Sequence, residues 1–317
     1  MIDAYASLPH FLTHLAPLRR VIDRLWVPPS LSTSPAILGL DSSPIKGTMR
    51  REALGGSRTP LVVASYQDYT RVRGFGRPIV YLEHGYGQTW LGSDHPSYPG
   101  GKGKGDVSLF LCPNERVAEA NRRAYPNAEV AVVGSPRVEH LARLRGDGGE
   151  TVAFGWHWNC TQWEEAKSTF LEYRDAVARA AARWPSVGHG HPKDWNRLAE
   201  WYARKGIRSE WLWDNVVREA GVYVCDGSST IYEACAIGLP VVLLNGRTWR
   251  RDVHHGMRYW EWADVGPTVN HPAELEPAIF EVICADRWGE RRSEVALEAF
   301  GPLEGATERA VEAIRRL

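Results

Sequence analysis

The stretch YVCDGSSTIYEACAIGLPVV, Tyr223 to Val242, decides the fold. An apolar run over Gly221–Cys225 reads as a strand and ends at Asp226. Gly227 and Ser228 turn the chain, and Ser229–Ile237 has the spacing of a helix. Gly238 ends that helix, and Pro240–Leu244 is a second apolar run. Strand, turn, helix and strand in this order form a parallel α/β unit. The turn aims backbone N–H groups and the hydroxyls of Ser228, Ser229 and Thr230 at one spot beside the positive end of the helix. That arrangement suits an anion such as a diphosphate. A plainer reading makes one hydroxyl an N-cap, with Thr230 and Glu233 at capping-box spacing.

The same pattern extends in both directions. Upstream strands are expected at Ala36–Leu40, Leu61–Ser65, Pro78–Leu82, Val107–Cys112, Glu129–Val133, Thr151–Gly155 and Val187–His189. Helices are expected at Leu8–Leu25, Glu115–Ala124, Trp163–Trp184, Trp195–Lys205, Glu274–Ala285 and Glu304–Leu317, and Pro28–Gly56 reads as loop. The strands are continuous apolar runs, as in sheets covered on both faces. With 317 residues and a glycine-rich break at Gly146–Gly149, the chain reads as two α/β domains, 1–145 and 151–317. The final helix is a candidate to pack back on the first domain.

Composition narrows the function. Lys+Arg and Asp+Glu are both 38, which excludes nucleic-acid binding driven by a large net positive charge. The first 150 residues carry 18 basic and 14 acidic groups, a balance of +4, which leaves −4 for the rest. The excess lies between Lys46 and Arg77: a solvated face, or a contact for anionic acceptors or membrane headgroups. Five cysteines without a CxxC pair give no disulfide framework and no thiolate zinc site. No signal peptide or membrane-spanning run is evident, so a cytoplasmic setting is expected. Of 14 tryptophans, only Trp26 and Trp90 precede residue 150.

Three further segments carry chemistry. YLEHGYGQTW (Tyr81–Trp90) runs from a strand into His84-Gly85, and a His beyond the carboxyl end of a parallel strand is placed for proton transfer. Glu83 either orients that ring or points away. GHGHP (Gly188–Pro192) follows another strand, with His191 the candidate phosphate contact. VGSPR (Val133–Arg137) closes the first half, and Arg137 is a candidate for a ligand or for an ion pair. The run WHWN places Trp156, His157, Trp158 and Asn159 after the first strand of the second domain. Its aromatic faces either stack on a base or sugar or pack in the core.

In this order the four segments resemble the glycosyltransferase-B (GT-B) superfamily, and most of all the CDP-glycerol glycerophosphotransferase family of teichoic-acid-type enzymes. The matching residues are His84-Gly85, Gly134-Ser-Pro-Arg137, His191-Pro192 and Ser228-Ser229, spread over Leu61 to Asn245. The sequence departs from that family's pattern in having no Lys soon after His84-Gly85, although Lys102 and Lys104 lie further on. It also has Glu233 where Asp is usual, which looks more like sugar-nucleotide transferases and UDP-N-acetylglucosamine 2-epimerases.

The resemblance implies two Rossmann-like domains with parallel sheets facing a central cleft. It implies a UDP-, CDP- or GDP-linked donor held by the second domain. The diphosphate would lie on Gly227, Ser228, Ser229 and Thr230 with His191, and the ribose on Glu233. His84 would take the proton of a glycan, polymer or protein acceptor, with no metal and no further cofactor. Two other classes compete: a nucleotide-sugar 2-epimerase of the same fold, and a non-enzymatic carbohydrate- or anion-binding protein.

Overall fold

A computed structural model describes residues 1–31, 42–44, 54–55, 57–84, 95–160, 167–247 and 264–317. The expected strand at Ala36–Leu40, Gly85, and the basic residues Lys46, Arg50 and Arg51 lie outside them. The chain divides into two compact units. Of the described residues, unit 1 takes those within 1–84, 95–140 and 300–317, and unit 2 those within 141–299.

Unit 1 is built on a parallel sheet ordered β3-β2-β1-β4-β5-β6-β7. Its strands are β1 (Ile2–Tyr5), β2 (Ile22–Val27), β3 (Ser42–Pro44), β4 (Leu61–Val63), β5 (Ile79–Leu82), β6 (Val107–Cys112) and β7 (Glu129–Val132). The order reverses direction between β1 and β4, as in doubly wound sheets. β1, β4 and β5 are buried along their whole length, which explains why their sequences do not alternate. Helices α1 (Pro9–Leu15), α2 (Tyr66–Val72) and α3 (Glu115–Ala124) follow β1, β4 and β6. α4 (Pro136–Leu144) follows β7.

One expected element is divided. Leu8–Leu25 is not one helix: α1 ends at Leu15, a short 3-10 turn covers Ala16–Leu18, and β2 begins at Ile22. Pro17 has no N–H for the helical ladder. Beyond it, Arg24, Leu25 and Trp26 pair with Asp3, Ala4 and Tyr5 of β1. The apolar positions of that stretch fit a helical stripe as well as a strand, and sheet pairing decides between them.

Unit 2 repeats the architecture with the parallel order β10-β9-β8-β11-β12-β13. The strands are β8 (Val152–Gly155), β9 (Ser186–Gly188), β10 (Arg208–Ser209), β11 (Val222–Cys225), β12 (Val241–Leu244) and β13 (Thr268–Val269). Between them run α5 (Phe170–Ala181), α6 (Trp195–Arg204), α7 (Trp213–Glu219) and α8 (Thr230–Ala236), followed by α9 (Leu275–Cys284). α10 (Gly289–Phe300) leads to α11 (Ala306–Arg316). The glycine-rich stretch lies against the link between α7 and β11, where Arg145 donates to the Ala220 carbonyl at 2.7 Å.

α11 belongs to unit 1. Its Ala310, Val311, Ala313 and Ile314 are in the same apolar cluster as Ile2, Leu12, Val80 and Leu109. Its first turn is held by Glu139, which accepts from the N–H groups of Gly305 (3.0 Å) and Thr307 (2.9 Å) and from the Thr307 hydroxyl (2.6 Å). Among the described residues no helix is long and apolar enough to cross a membrane.

Candidate functional site

Because all strands of unit 2 are parallel, the residues following β8, β9 and β11 reach one edge of the sheet. β8 and β11 are neighbours at the point where strand order reverses, which is where doubly wound folds hold ligands. After β11 the chain turns tightly, with the Ser228 N–H donating to the Asp226 carbonyl at 2.7 Å. Thr230 is the first residue of α8, and its hydroxyl lies 2.8 Å from both Ser228 Oγ and the Tyr223 hydroxyl. The capping-box alternative is therefore not realised. The cap residue is Ser229, whose side chain makes no cap bond. Glu233 lies one turn into α8, half-buried.

Tyr223 can reach Thr230 because β8 ends in a glycine. A Cβ on Gly155 would fall 2.2 Å from the Tyr223 hydroxyl oxygen. Asp226 is fully buried and ties three segments together. It accepts from the His157 N–H at 2.6 Å, the Ser168 hydroxyl at 2.9 Å and the Thr169 N–H at 2.9 Å. Burial raises its pKa, while the His157 charge and these bonds oppose the rise.

The aromatic run after β8 divides by role. Trp156 is a core residue: its indole N–H donates to the Tyr202 hydroxyl at 2.7 Å and its ring meets Phe170 edge-on. Trp158 is half-buried, with the Lys193 ammonium 3.8 Å above its ring. The rings of His157 and Trp158 lie 5.8 Å and 6.2 Å from that of His191. His191 Nδ1 accepts from the Lys193 N–H at 3.1 Å. Its neutral ring therefore carries the proton on Nε2, which suits a phosphate oxygen. His189 is bonded to the Glu210 carbonyl at 2.8 Å and packs near Trp195 and Trp213. Asn159 is exposed, and its N–H donates to Asp194 at 2.8 Å. Lys193 was not singled out in the sequence; it is placed only by the turn after Pro192.

In unit 1, His84 follows β5 at the corresponding edge. Its ring meets Phe11 at 5.3 Å and His14 at 5.1 Å, both edge-on. Burial, with His10 and Lys104 nearby, pushes its pKa down to about 3, so the imidazole is neutral at physiological pH. Glu83 points elsewhere. It accepts from Asn121 at 2.9 Å and lies 3.9 Å from the buried Lys104 ammonium, which itself donates to the Tyr98 carbonyl. Lys104 is thus an internal strut rather than a replacement for the Lys missing after His84-Gly85. His10 and His14 were not read from the sequence, although their i, i+4 spacing in PHFLTH places them on one helix face.

Arg137 is buried at the start of α4. Gly134 has φ +80°, and a Cβ there would fall 2.9 Å from the Pro302 carbonyl oxygen. Gly134 is thereby explained locally by packing against the segment before α11. In the basic Lys46–Arg77 stretch, Arg77 is buried and pairs with Asp3 at 2.7 Å, so it cannot serve a surface contact. Among the described residues no group of three or more His, Cys, Asp or Glu is arranged to hold a metal.

Solved structures share the fold of this chain over nearly its whole length. The MnaA–UDP structure from S. aureus aligns with a TM-score of 0.65 at 14% identity, covering 99% of this chain and 95% of that one. The UDP-GlcNAc 2-epimerase of Neisseria meningitidis, bound to UDP-GlcNAc, aligns with a TM-score of 0.63 at 11% identity, covering 100% of both. The wall teichoic acid polymerase TagF, soaked with CDPG, aligns with a TM-score of 0.66 at 11% identity, covering 99% of this chain and 88% of that one. The chain has the GT-B fold. No family model and no curated protein sequence matches it, so the likeness to these GT-B proteins is one of fold.

Proposed function

We propose that this GT-B chain is a transferase that moves a sugar or a polyol phosphate from a nucleotide-diphosphate donor to an acceptor hydroxyl. The observation that carries this reading is the edge of unit 2 at its strand-order reversal, where β11 runs into the hydroxyls of Ser228 and Thr230 and β8 into His157 and Trp158, whose rings lie near that of His191. Ser228 and Thr230 would contact the diphosphate with His191, and Glu233 the ribose. Trp158 would offer a face to the base or sugar. Structures of similar fold contain UDP, UDP-GlcNAc or CDPG.

In the transfer, the acceptor oxygen forms the new bond as the donor bond breaks, and His84 takes the acceptor's proton. If a sugar moves, the nucleoside diphosphate leaves; if a polyol phosphate moves, the nucleoside monophosphate leaves. His84 is neutral in the free protein, so its imidazole can accept a proton. The leaving phosphate is stabilised by fixed N–H and O–H donors, so the reaction proceeds without a metal.

A 2-epimerase is the second reading, favoured by the likeness in fold to the UDP-GlcNAc 2-epimerase structure above. The test is thermal shift with UDP, CDP, GDP and ADP, followed by turnover with the nucleotide that stabilises. His84→Ala should abolish transfer and keep nucleotide affinity. Turnover left intact in His84→Ala would remove the base assignment. Conversion of donor alone, without acceptor, would establish the epimerase. No stabilisation by any nucleotide would point to the binding-protein class.

A further inference from the structure

A histidine acting as a base is commonly oriented by a carboxylate on its second nitrogen. Here the acidic neighbour in sequence, Glu83, is turned toward Asn121 and Lys104. What meets the His84 ring is one face of α1. Phe11 and His14, three residues apart, present their rings at 82° and 64° to it, with centroids at 5.3 Å and 5.1 Å. Edge-to-face contacts at these distances are favourable and directional. Phe11 is itself buried, so one wall of the slot is fixed by the core, whereas His14 is half-exposed.

α1 is also placed with care. Pro9 opens it, and Ser7, two residues earlier, donates its N–H to the buried Asp68 at 3.1 Å. The helix that carries the two rings is therefore anchored at its entrance.

We propose that His14, together with Phe11, is a positioning residue for His84: edge-on ring contacts from α1, not Glu83, hold the imidazole in the orientation from which it takes the acceptor's proton. This rests on the base role proposed for His84. What His14 supplies is an aromatic ring contact, so an aromatic replacement should serve and a small one should not.

The experiment compares His14→Ala, His14→Phe and His14→Gln in the full chain, by steady-state kinetics and by NMR of the His84 ring without substrate. His14→Ala should lower kcat roughly tenfold or more with both KM values within about twofold, since misplacing a catalytic group acts mainly on the chemical step. His14→Phe should recover most of that loss, and His14→Gln should not. The His84 ring should give one set of resonances in the parent and in His14→Phe, and broadened or doubled signals in His14→Ala.

Unchanged kcat in His14→Ala with a single His84 signal would overturn the proposal. So would a His14→Phe variant as impaired as His14→Ala, because the imidazole nitrogen would then be the operative group. If His84→Ala keeps full turnover, the base assignment fails, and the ring signals still decide whether His14 positions His84.

Discussion

Two titratable groups of unit 1, the buried Asp68 and the half-buried His84, pull stability in opposite directions with pH. Asp68 is fully buried, and burial pushes its pKa up to about 7 against the opposing bonds from Ser7 and Ser65. Its folded form binds a proton that the unfolded chain releases near pH 3.8. Full stability is therefore present below about pH 4 and is lost as pH rises toward 7. A rise of about three units corresponds to about 4 kcal/mol at most. His84 behaves in the reverse sense. Its folded pKa near 3 lies below the ordinary 6.5, so stability is present above pH 6.5 and is lost as pH falls toward 3. Urea unfolding from pH 4 to 8 should show Asp68→Asn gaining on the parent protein as pH rises. His84→Gln should gain on it as pH falls. Parallel curves for parent and variant would show that the group has the same pKa in the folded and unfolded states.

At the scale of elements, β8 ends where two demands meet. Gly155 stands beside Cys225 in the sheet register and lies under the Tyr223 ring, whose hydroxyl reaches Thr230. Gly155→Ala must displace that ring, so it should destabilise unit 2 by about 1–3 kcal/mol, as overpacking does. It should also weaken nucleotide binding by freeing the turn. Tyr223→Phe keeps the ring and removes one hydrogen bond, a loss of about 1 kcal/mol. Equal nucleotide affinity in parent and Gly155→Ala, by calorimetry, would separate this turn from the ligand.

The legibility of the sequence follows the same boundary. β6 and β11–α8–β12 could be read because their apolar runs end in Pro or Gly-Ser turns, which have one local interpretation. β1, β10 and β13 have two to four residues, too few to show a period. The placement of the candidate residues was legible where the chain leaves a strand, as at His84, His191 and Ser228. It was not legible where partners come from afar. Nothing local to Asp226 announces Ser168 and Thr169, and nothing near His84 announces His14, seventy residues upstream. That Trp156 is core and Trp158 half-exposed depends on Tyr202 and Lys193, so the two neighbours looked alike in sequence.

On the scale of the whole molecule, the chain leaves unit 1, builds unit 2 and returns, so unit 1 is not contiguous in sequence. The returning α11 supplies Val311 and Ile314 to the unit 1 core, each contributing about 1.5–3 kcal/mol by burial. Its removal would also leave the buried Glu139 without the Gly305 and Thr307 donors. A chain ending at Ala299 therefore loses about 3–6 kcal/mol of apolar burial plus the loss at Glu139. That is a large share of the ~5–15 kcal/mol typical of a domain. Hydrogen exchange should show β1, β4 and β5 losing protection in that chain, while β8, β11 and β12 keep theirs and gain more with the stabilising nucleotide. Glu139→Gln in the full chain should act in the same direction but less, by about 1–2 kcal/mol, because an uncharged amide still accepts. Loss of protection spread evenly over both sheets would mean that the units unfold as one.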